Sequence, residues 1–249
     1  MRIAIVGYGR MGRLIEEIAL DRGHQVVSRI DPQAPGADFP IVNPQALEDV
    51  EGVIEFGLPE GMIENAQVYT EQNLLVVLGT TGWDGLKEKL FSLYEAGGAL
   101  LYGSNFSVGA NLLFALTKQA AHLIENIHEY DIMVHEYHHR HKKDSPSGTA
   151  LSIAQVILEN LSRKTELQTE ALTHRAIRDE ELHVSSTRGG AVPGTHTITL
   201  DSEADTIALT HTARSRKGFA LGAVLGLEWL KNKPGVFHAD QFFKDYLGL

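Results

Sequence analysis

Ile3-Ala4-Ile5-Val6-Gly7-Tyr8-Gly9-Arg10-Met11-Gly12 is the stretch on which the fold turns. A four-residue apolar run leads into Gly-x-Gly-x-x-Gly, and helical spacing of apolar residues follows over 10–21. A strand before and a helix after give the glycines a mechanism. Gly7 permits a tight turn, Gly9 lets the backbone approach a pyrophosphate, and Gly12 lets helix and strand pack closely. The pyrophosphate would rest on free N–H groups at the positive end of the helix dipole, with Tyr8, Arg10 and Met11 completing the loop. Asp31 ends the second predicted strand and suits hydrogen bonds from the adenosine ribose hydroxyls. A carboxylate there repels a 2′-phosphate and favours NADH, whereas Arg10 or Arg29 can draw the phosphate of NADPH, so both cofactors stay open. The rival reading is a plain glycine-rich turn with a solvated Asp31.

Outward from this loop, apolar runs recur at 3–6, 25–30, 52–56, 74–78 and 99–102, and helical patterns lie between them at 10–21, 59–72 and 83–96. Strands apolar throughout belong to a sheet covered on both faces, and the alternation of strand and helix makes that sheet parallel and doubly wound. The segment 32–44 holds four prolines and reads as a surface excursion. After Ser107 the pattern changes. Helices are expected over 111–124 and 147–161, with a strand over 128–137 between them. Thr- and Val-rich strands follow at 182–187, 195–200 and 206–212, spaced as an antiparallel meander. The polar stretch 162–181 reads as a mobile or exposed connection, and helices at 218–231 and 239–246 close the chain. The fold class is α/β: a Rossmann-type doubly wound parallel sheet plus a second α+β domain with a mixed, largely antiparallel sheet.

A net charge of −10 argues against general binding to nucleic acid or anionic membranes, which need a basic face. An anionic ligand must then be drawn by a local cluster. The absence of cysteine excludes disulfides and thiolate chemistry and fits a reducing cytoplasm. A first strand starting at Arg2 leaves no room for a signal peptide, and no apolar stretch is long enough for a membrane span.

Two loops share the carboxyl edge of the predicted sheet, where such sheets bind ligands. Gly79-Thr80-Thr81-Gly82 follows the fourth strand, and Ser104-Asn105-Phe106 follows the fifth. Gly79, Thr80, Thr81, Ser104, Asn105 and Phe106 are candidates for the nicotinamide end; simple turns and a helix cap at Ser107 are the alternative.

The densest cationic cluster is His138-His139-Arg140-His141-Lys142, followed by Asp144-Ser145-Pro146-Ser147-Gly148-Thr149. Three readings compete. A metal site would use His135, His138, His139 and His141, but no regular acidic pattern completes it, and adjacent histidines on a strand point in opposite directions. A solvated basic turn is the second. The third is an anion-binding catalytic loop, supported by Ser147-Gly148-Thr149, which caps a helix with small residues that open its N–H groups to a ligand. Imidazole titrates near neutral pH and an amine can deliver a proton.

That run, His-His-Arg-His-Lys with Asp-x-Pro-Ser-Gly-Thr-Ala, resembles the signature of the dihydrodipicolinate reductase (4-hydroxy-tetrahydrodipicolinate reductase) family of bacterial lysine and diaminopimelate biosynthesis. The resemblance extends to Gly7–Gly12, Pro59-Glu60-Gly61, Gly79-Thr80-Thr81-Gly82, Asn105-Phe106-Ser107-Val108-Gly109 and Ser215-Arg216 with Phe219-Ala220-x-Gly222-Ala223. It implies NADH- or NADPH-dependent reduction of a cyclic dicarboxylate: loss of water gives a conjugated imine, hydride adds at ring C4, and a proton reaches the neighbouring carbon. It makes His138 the catalytic acid/base and Lys142 a proton donor, with His139, Lys142, Gly148 and Thr149 on the substrate carboxylate. It further implies a dinucleotide-binding domain of 1–108 and 217–249, a substrate and oligomerisation domain of 109–216, and a homotetramer; the composition reads as cytoplasmic, and no metal is expected. The chain departs from the family pattern in a shorter glycine loop, Leu58 where some members have Arg, and Pro193 and Thr195 in a glycine-rich turn. Competing readings are another two-domain NAD(P)-dependent semialdehyde or sugar dehydrogenase, which leaves the 138–149 run unexplained, and a non-catalytic nicotinamide-nucleotide sensor.

Overall fold

The computed structural model describes residues 1–95 and 97–248; Ala96, expected as the end of the third helix, and Leu249, expected as the end of the first domain, lie outside the described residues. The chain divides into two compact units, Met1–Val108 with Arg216–Leu249, and Gly109–Ser215. The first stretch runs β1 (Arg2–Val6), α1 (Arg10–Asp21), β2 (Gln25–Ile30), β3 (Gly52–Glu55), α2 (Met62–Glu71), β4 (Leu75–Leu78), α3 (Lys87–Tyr94) and β5 (Ala99–Tyr102). The middle stretch runs α4 (Val108–Leu123), β6 (Asp131–His138), α5 (Gly148–Asn160), β7 (Glu166–Gln168), β8 (Glu181–Arg188), β9 (Thr195–Asp201) and β10 (Thr206–Thr212). The last comprises α6 (Lys217–Trp229), β11 (Gly235–His238) and α7 (Ala239–Leu247).

In the first unit six parallel strands lie in the order β11-β5-β4-β3-β1-β2. Successive side chains of a strand point to opposite faces, and both faces are covered. Ile3, Ile5, Ile54, Val77 and Leu101 pack with residues of α1, α6 and α7 on one side. Ala4, Val6, Val53, Val76 and Leu100 pack with residues of α2 and α3 on the other. That two-sided burial is why these strands read as unbroken apolar runs, and each fully buried Ile or Leu contributes about 1.5–3 kcal/mol. α6 lies close against the loop after β5: a Cβ on Gly222 would fall 1.8 Å from the Phe106 carbonyl oxygen. α2 begins at Met62 rather than Pro59, because Gly61 sits in the left-handed region at φ 83° and breaks the helix there.

In the second unit the sheet order is β10-β9-β6-β8-β7. β6 and β9, and β9 and β10, pair antiparallel, while β6 and β8, and β8 and β7, pair parallel. β8 therefore is not the hairpin partner of β9, as a meander would require. The turn 189–194 instead carries the chain past the end of β6, from one neighbour of that strand to the other. The 162–181 stretch is also more ordered than expected. It contributes β7, and the buried Lys164 ammonium is held by Asp131 Oδ1 at 2.7 Å and the carbonyls of Asp179 and Glu181 at 2.8 and 2.9 Å. One face of the sheet packs on α4 and α5 through Leu113, Ala121, Ile124, Ile153 and Ile157. β6 alternates cleanly, with Ile132, Val134, Glu136 and His138 inward and Asp131, Met133, His135 and Tyr137 on the other face. No described helix is long and apolar enough to cross a membrane.

Candidate active site

The glycine loop leaves β1 at Gly7, whose φ of 87° a side chain would resist. A Cβ on Gly12 would sit 2.4 Å from the Gly7 carbonyl oxygen, so that position admits only glycine without movement. Gly9 is different: nothing lies within 4 Å of where its Cβ would stand, and it precedes α1 without a side-chain cap. The first N–H groups of α1 thus face open space, with the exposed Arg10 and the partly exposed Met11 behind them. Asp31 reaches back into this loop. Its Oδ2 accepts from the Tyr8 N–H at 2.9 Å, and its Oδ1 accepts from Gln33 and Ala34 N–H at 2.9 and 2.8 Å. Burial opposes ionisation of Asp31, but those three donors outweigh it and hold the carboxyl below its ordinary range. Tyr8 is buried, donates through its hydroxyl to Glu16, and lies beneath the Arg13 guanidinium at 4.8 Å. Arg29 is bonded to Glu16 and lies 3.2 Å from Asp38, so its charge is already matched. Arg10 has no ion pair among the described residues. A dinucleotide fits this set: an open helix terminus, a glycine cradle and an ionised carboxylate at the end of β2.

At the carboxyl edge of the same sheet, Thr80, Thr81, Tyr102 and Ser104 line one cleft with His238. Gly79 admits no side chain, since a Cβ there would overlap the Phe56 ring at 2.2 Å. Thr80 Oγ1 donates to the Gly57 carbonyl at 3.3 Å, and Asn105 Oδ1 accepts from the Ser107 N–H at 2.9 Å. The Phe106 ring is buried edge-on against Phe56 at 6.0 Å, so a ligand contact by this residue falls to its backbone.

In the second unit the basic run begins where β6 ends. His138 is the last inward residue of that strand and is 7% exposed. Two residues earlier on the same face lies Glu136, fully buried. Its Oε1 accepts from the Ser147 N–H at 2.9 Å, Ser186 Oγ at 2.8 Å and the Arg188 guanidinium at 2.6 Å. Its Oε2 accepts from the Ser147 hydroxyl and lies 3.2 Å from His138 Nδ1 and 3.4 Å from His196 Nε2. Burial alone would raise the Glu136 pKa; the Ser147, Arg188 and Ser186 donors overcome it and bring it to about 2. For His138, burial pushes the pKa down, with Lys142 and Arg188 adding to the fall and Glu136 and Asp144 opposing it. Burial beside His138 takes His196 down to about 4, so that ring is neutral at pH 7. The two rings meet edge-on at 5.2 Å.

Ser147 N-caps α5, its hydroxyl accepting from the Ala150 N–H at 3.2 Å. Gly148 is exposed, a Cβ on it would meet nothing within 4 Å, and with the Lys142 ammonium its N–H helps hold the Asp144 carboxyl below its ordinary range, so the helix start beside Thr149 already attracts a carboxylate. Lys142 Nζ lies 2.9 Å from Asp144 Oδ1. The His139 ring centre is 6.3 Å from that of His141. His135 sits on the opposite face of β6, bonded to Ser185 Oγ at 2.6 Å, which separates it from His138.

Glu136, Arg188 and His196 were absent from the sequence-derived site. The signal for Glu136 was available in the two-residue spacing to His138 on one strand. Arg188 and His196 come from β8 and β9, and only the sheet pairing brings them alongside. Glu136, His138 and His196 are the described residues close enough to share a metal ion. The Glu136 oxygens are already occupied by Ser147, Ser186 and Arg188, and a guanidinium 2.6 Å from one of them disfavours a cation.

The dihydrodipicolinate reductase N-terminus profile matches residues 1–106, and the C-terminus profile of the same family matches 109–243. The 4-hydroxy-tetrahydrodipicolinate reductase of Christiangramia forsetii is 38% identical over 98% of both chains. The enzyme of that name from Archaeoglobus fulgidus is 35% identical over 98% of this chain and 100% of its own. A solved dipicolinate-bound dihydrodipicolinate reductase from Paenisporosarcina sp. TG-14 has the same fold, with a TM-score of 0.76 at 23% identity over 96% of this chain and 97% of the other.

Proposed function

The chain belongs to the dihydrodipicolinate reductase family, and on that premise we propose that it reduces 4-hydroxy-tetrahydrodipicolinate to tetrahydrodipicolinate in lysine and diaminopimelate biosynthesis. NADH or NADPH, when bound, supplies the hydride. Gly7, Tyr8, Gly9, Arg10, Met11, Gly12 and Asp31 hold the dinucleotide's adenosine and pyrophosphate portion. Gly79, Thr80, Thr81, Ser104, Asn105 and Phe106 hold the nicotinamide end. The observation that carries the reading is the placement of His138, nearly buried at the end of β6, ahead of a basic loop that runs into the exposed N-terminus of α5.

Within the second unit, the Gly148 and Thr149 N–H groups receive a substrate carboxylate, assisted by His139 and the Lys142 ammonium. The substrate loses its hydroxyl as water to give the conjugated imine. Hydride then arrives at ring C4, and the adjacent carbon takes a proton from the His138 imidazolium, with Lys142 as a second proton donor. Such proton delivery contributes about 10²–10⁴ in rate. The exposed face of the mixed sheet, which includes Met133 and Tyr137, supports assembly as a homotetramer. The lack of cysteine supports a cytoplasmic setting.

The test generates substrate from pyruvate and aspartate semialdehyde with a synthase and follows NAD(P)H absorbance. Cofactor consumption dependent on both precursors is expected. Lys142→Ala should lower kcat at least about 10²-fold while dinucleotide affinity stays within about twofold. Oxidation of cofactor by other semialdehydes alone would replace this reading with a different dehydrogenase.

A further inference from the structure

We propose that Glu136 is a positioning residue for His138: it holds the Nδ1 proton of that ring, so that Nε2 is the nitrogen that exchanges the catalytic proton. The inference rests on His138 being the acid of the reaction above.

The two ring nitrogens face different surroundings. His138 Nδ1 is buried without a hydrogen bond as the ring stands, and Glu136 Oε2, 3.2 Å away, is the acceptor that a rotation of the imidazole would bring onto it. Glu136 itself is held by Ser147, Ser186 and Arg188, which come from the start of α5 and from β8. On the far side, Gly194 faces Nε2, and a Cβ at that position would lie 2.9 Å from it. Glycine there leaves Nε2 uncovered, and its φ of 145° disfavours any other residue. The turn carrying Gly194 is fastened to the same strand end, since the Gly189 N–H donates to the His138 carbonyl at 2.9 Å. One nitrogen therefore meets a fixed anion and the other an opening.

The proton step balances on this assignment. The Nε2–H bond of the imidazolium breaks, a C–H bond forms on the substrate carbon, and the electron pair returns to Nε2. The ring is left neutral with its remaining proton on Nδ1, beside Glu136, and solvent restores the other. Arg188 and Lys142 disfavour the imidazolium and Asp144 favours it, while His196 is neutral; Glu136 is the nearest counter-charge. Neutralising Glu136 should thus make His138 a stronger acid.

Two measurements test this. In Glu136→Gln, the high-pH limb of kcat/KM, where the acid is lost, should move down by about one pH unit or more. Glu136→Asp should leave that limb within a few tenths of the wild-type pH, because the charge is kept. A purely structural role would depress the rate at every pH without moving the limb, and an unmoved or raised limb in Glu136→Gln overturns the proposal. The second measurement needs neither substitution at 136 nor turnover. Nitrogen-15 NMR of histidine-labelled wild-type protein, with the signal identified by its loss in His138→Asn, reads the neutral tautomer directly. The Nδ1–H form is expected, and the Nε2–H form overturns the proposal even if Glu136→Gln fails to fold. Absence of turnover in the wild-type enzyme would count instead against the reductase reading, and the tautomer result would stand apart from it.

Discussion

Gly12→Ala and Gly9→Ala should separate two functions of one loop. The added methyl at 12 would stand 2.4 Å from the Gly7 carbonyl oxygen and 3.2 Å from the Ile5 Cγ2. Neither neighbour can turn aside, because one is backbone and the other sits in the core, so helix and loop must part by roughly half an ångström or more. Overpacking of this kind costs about 1–3 kcal/mol, and the better helix propensity of alanine returns up to about 1 kcal/mol. The net loss of about 1–2 kcal/mol lowers Tm by roughly 2–8 °C in a chain of this size. The same displacement pulls N–H groups away from the pyrophosphate, and each charge-assisted hydrogen bond lost costs about 1.5–3 kcal/mol, or roughly 10–100-fold in affinity. At Gly9 the methyl meets no protein atom within 4 Å, and its φ of −78° suits alanine. Tm should therefore hold in Gly9→Ala while NADH affinity falls at least about tenfold, since the methyl occupies the ligand's approach. Thermal denaturation and calorimetric titration with NADH read both quantities. Wild-type affinity in Gly9→Ala would refute passage of the pyrophosphate over this residue; wild-type Tm and affinity in Gly12→Ala would refute the close-packing argument.

Glu55 gives a pH signature. Burial lifts its pKa to about 7 against the hydrogen bonds from Tyr69 and Asn65. The folded state holds this proton more tightly than the unfolded one, so the stabilisation is complete below the ordinary glutamate range and lost as pH rises through 7. The group should remove about 3 kcal/mol of stability between pH 4.5 and 8. Urea melts should show that slope flattened in Glu55→Gln, and equal slopes would contradict the assignment. Lys164→Met leaves two buried carbonyls without their donor and should cost about 2–4 kcal/mol, read as a lower urea midpoint; an unchanged midpoint would place the ammonium outside the folding energetics. Dialysis against a chelator should leave turnover unaltered, and activity lost and restored by zinc would reopen the Glu136, His138 and His196 cluster as a metal centre.

The parallel sheet was legible because its inner strands β1, β3 and β4, with β5, are buried on both faces and each ends in a glycine-bearing loop. α1 and β2 fall where the periodicity puts them, and the Asp31 carboxylate does reach the glycine loop. β11 and β7 were missed for a physical reason. Gly235–His238 and Glu166–Gln168 are too short to carry a period, and β11 takes its place only by pairing with β5, distant in the chain. The order of β8 and β9 was misjudged because both have the composition of exposed strands, and nothing local says which side of β6 each will take. The cationic residues 138–142 stand in one run and could be named in advance, whereas Arg188 joins them only through the pairing of β8 with β6. The anion beneath them could not be weighed, since Glu136 gains its importance from donors on α5 and β8.

Ser147 ties two requirements to a single hydroxyl. It closes the first turn of α5 and also donates to the carboxylate under His138. A designer seeking a new substrate range would find this serine immovable, and variation would have to start at Gly148 and run outward along the helix. Natural drift faces the same boundary: whatever reshapes acid recognition here must do so without touching the knot from which the strand and the helix both hang.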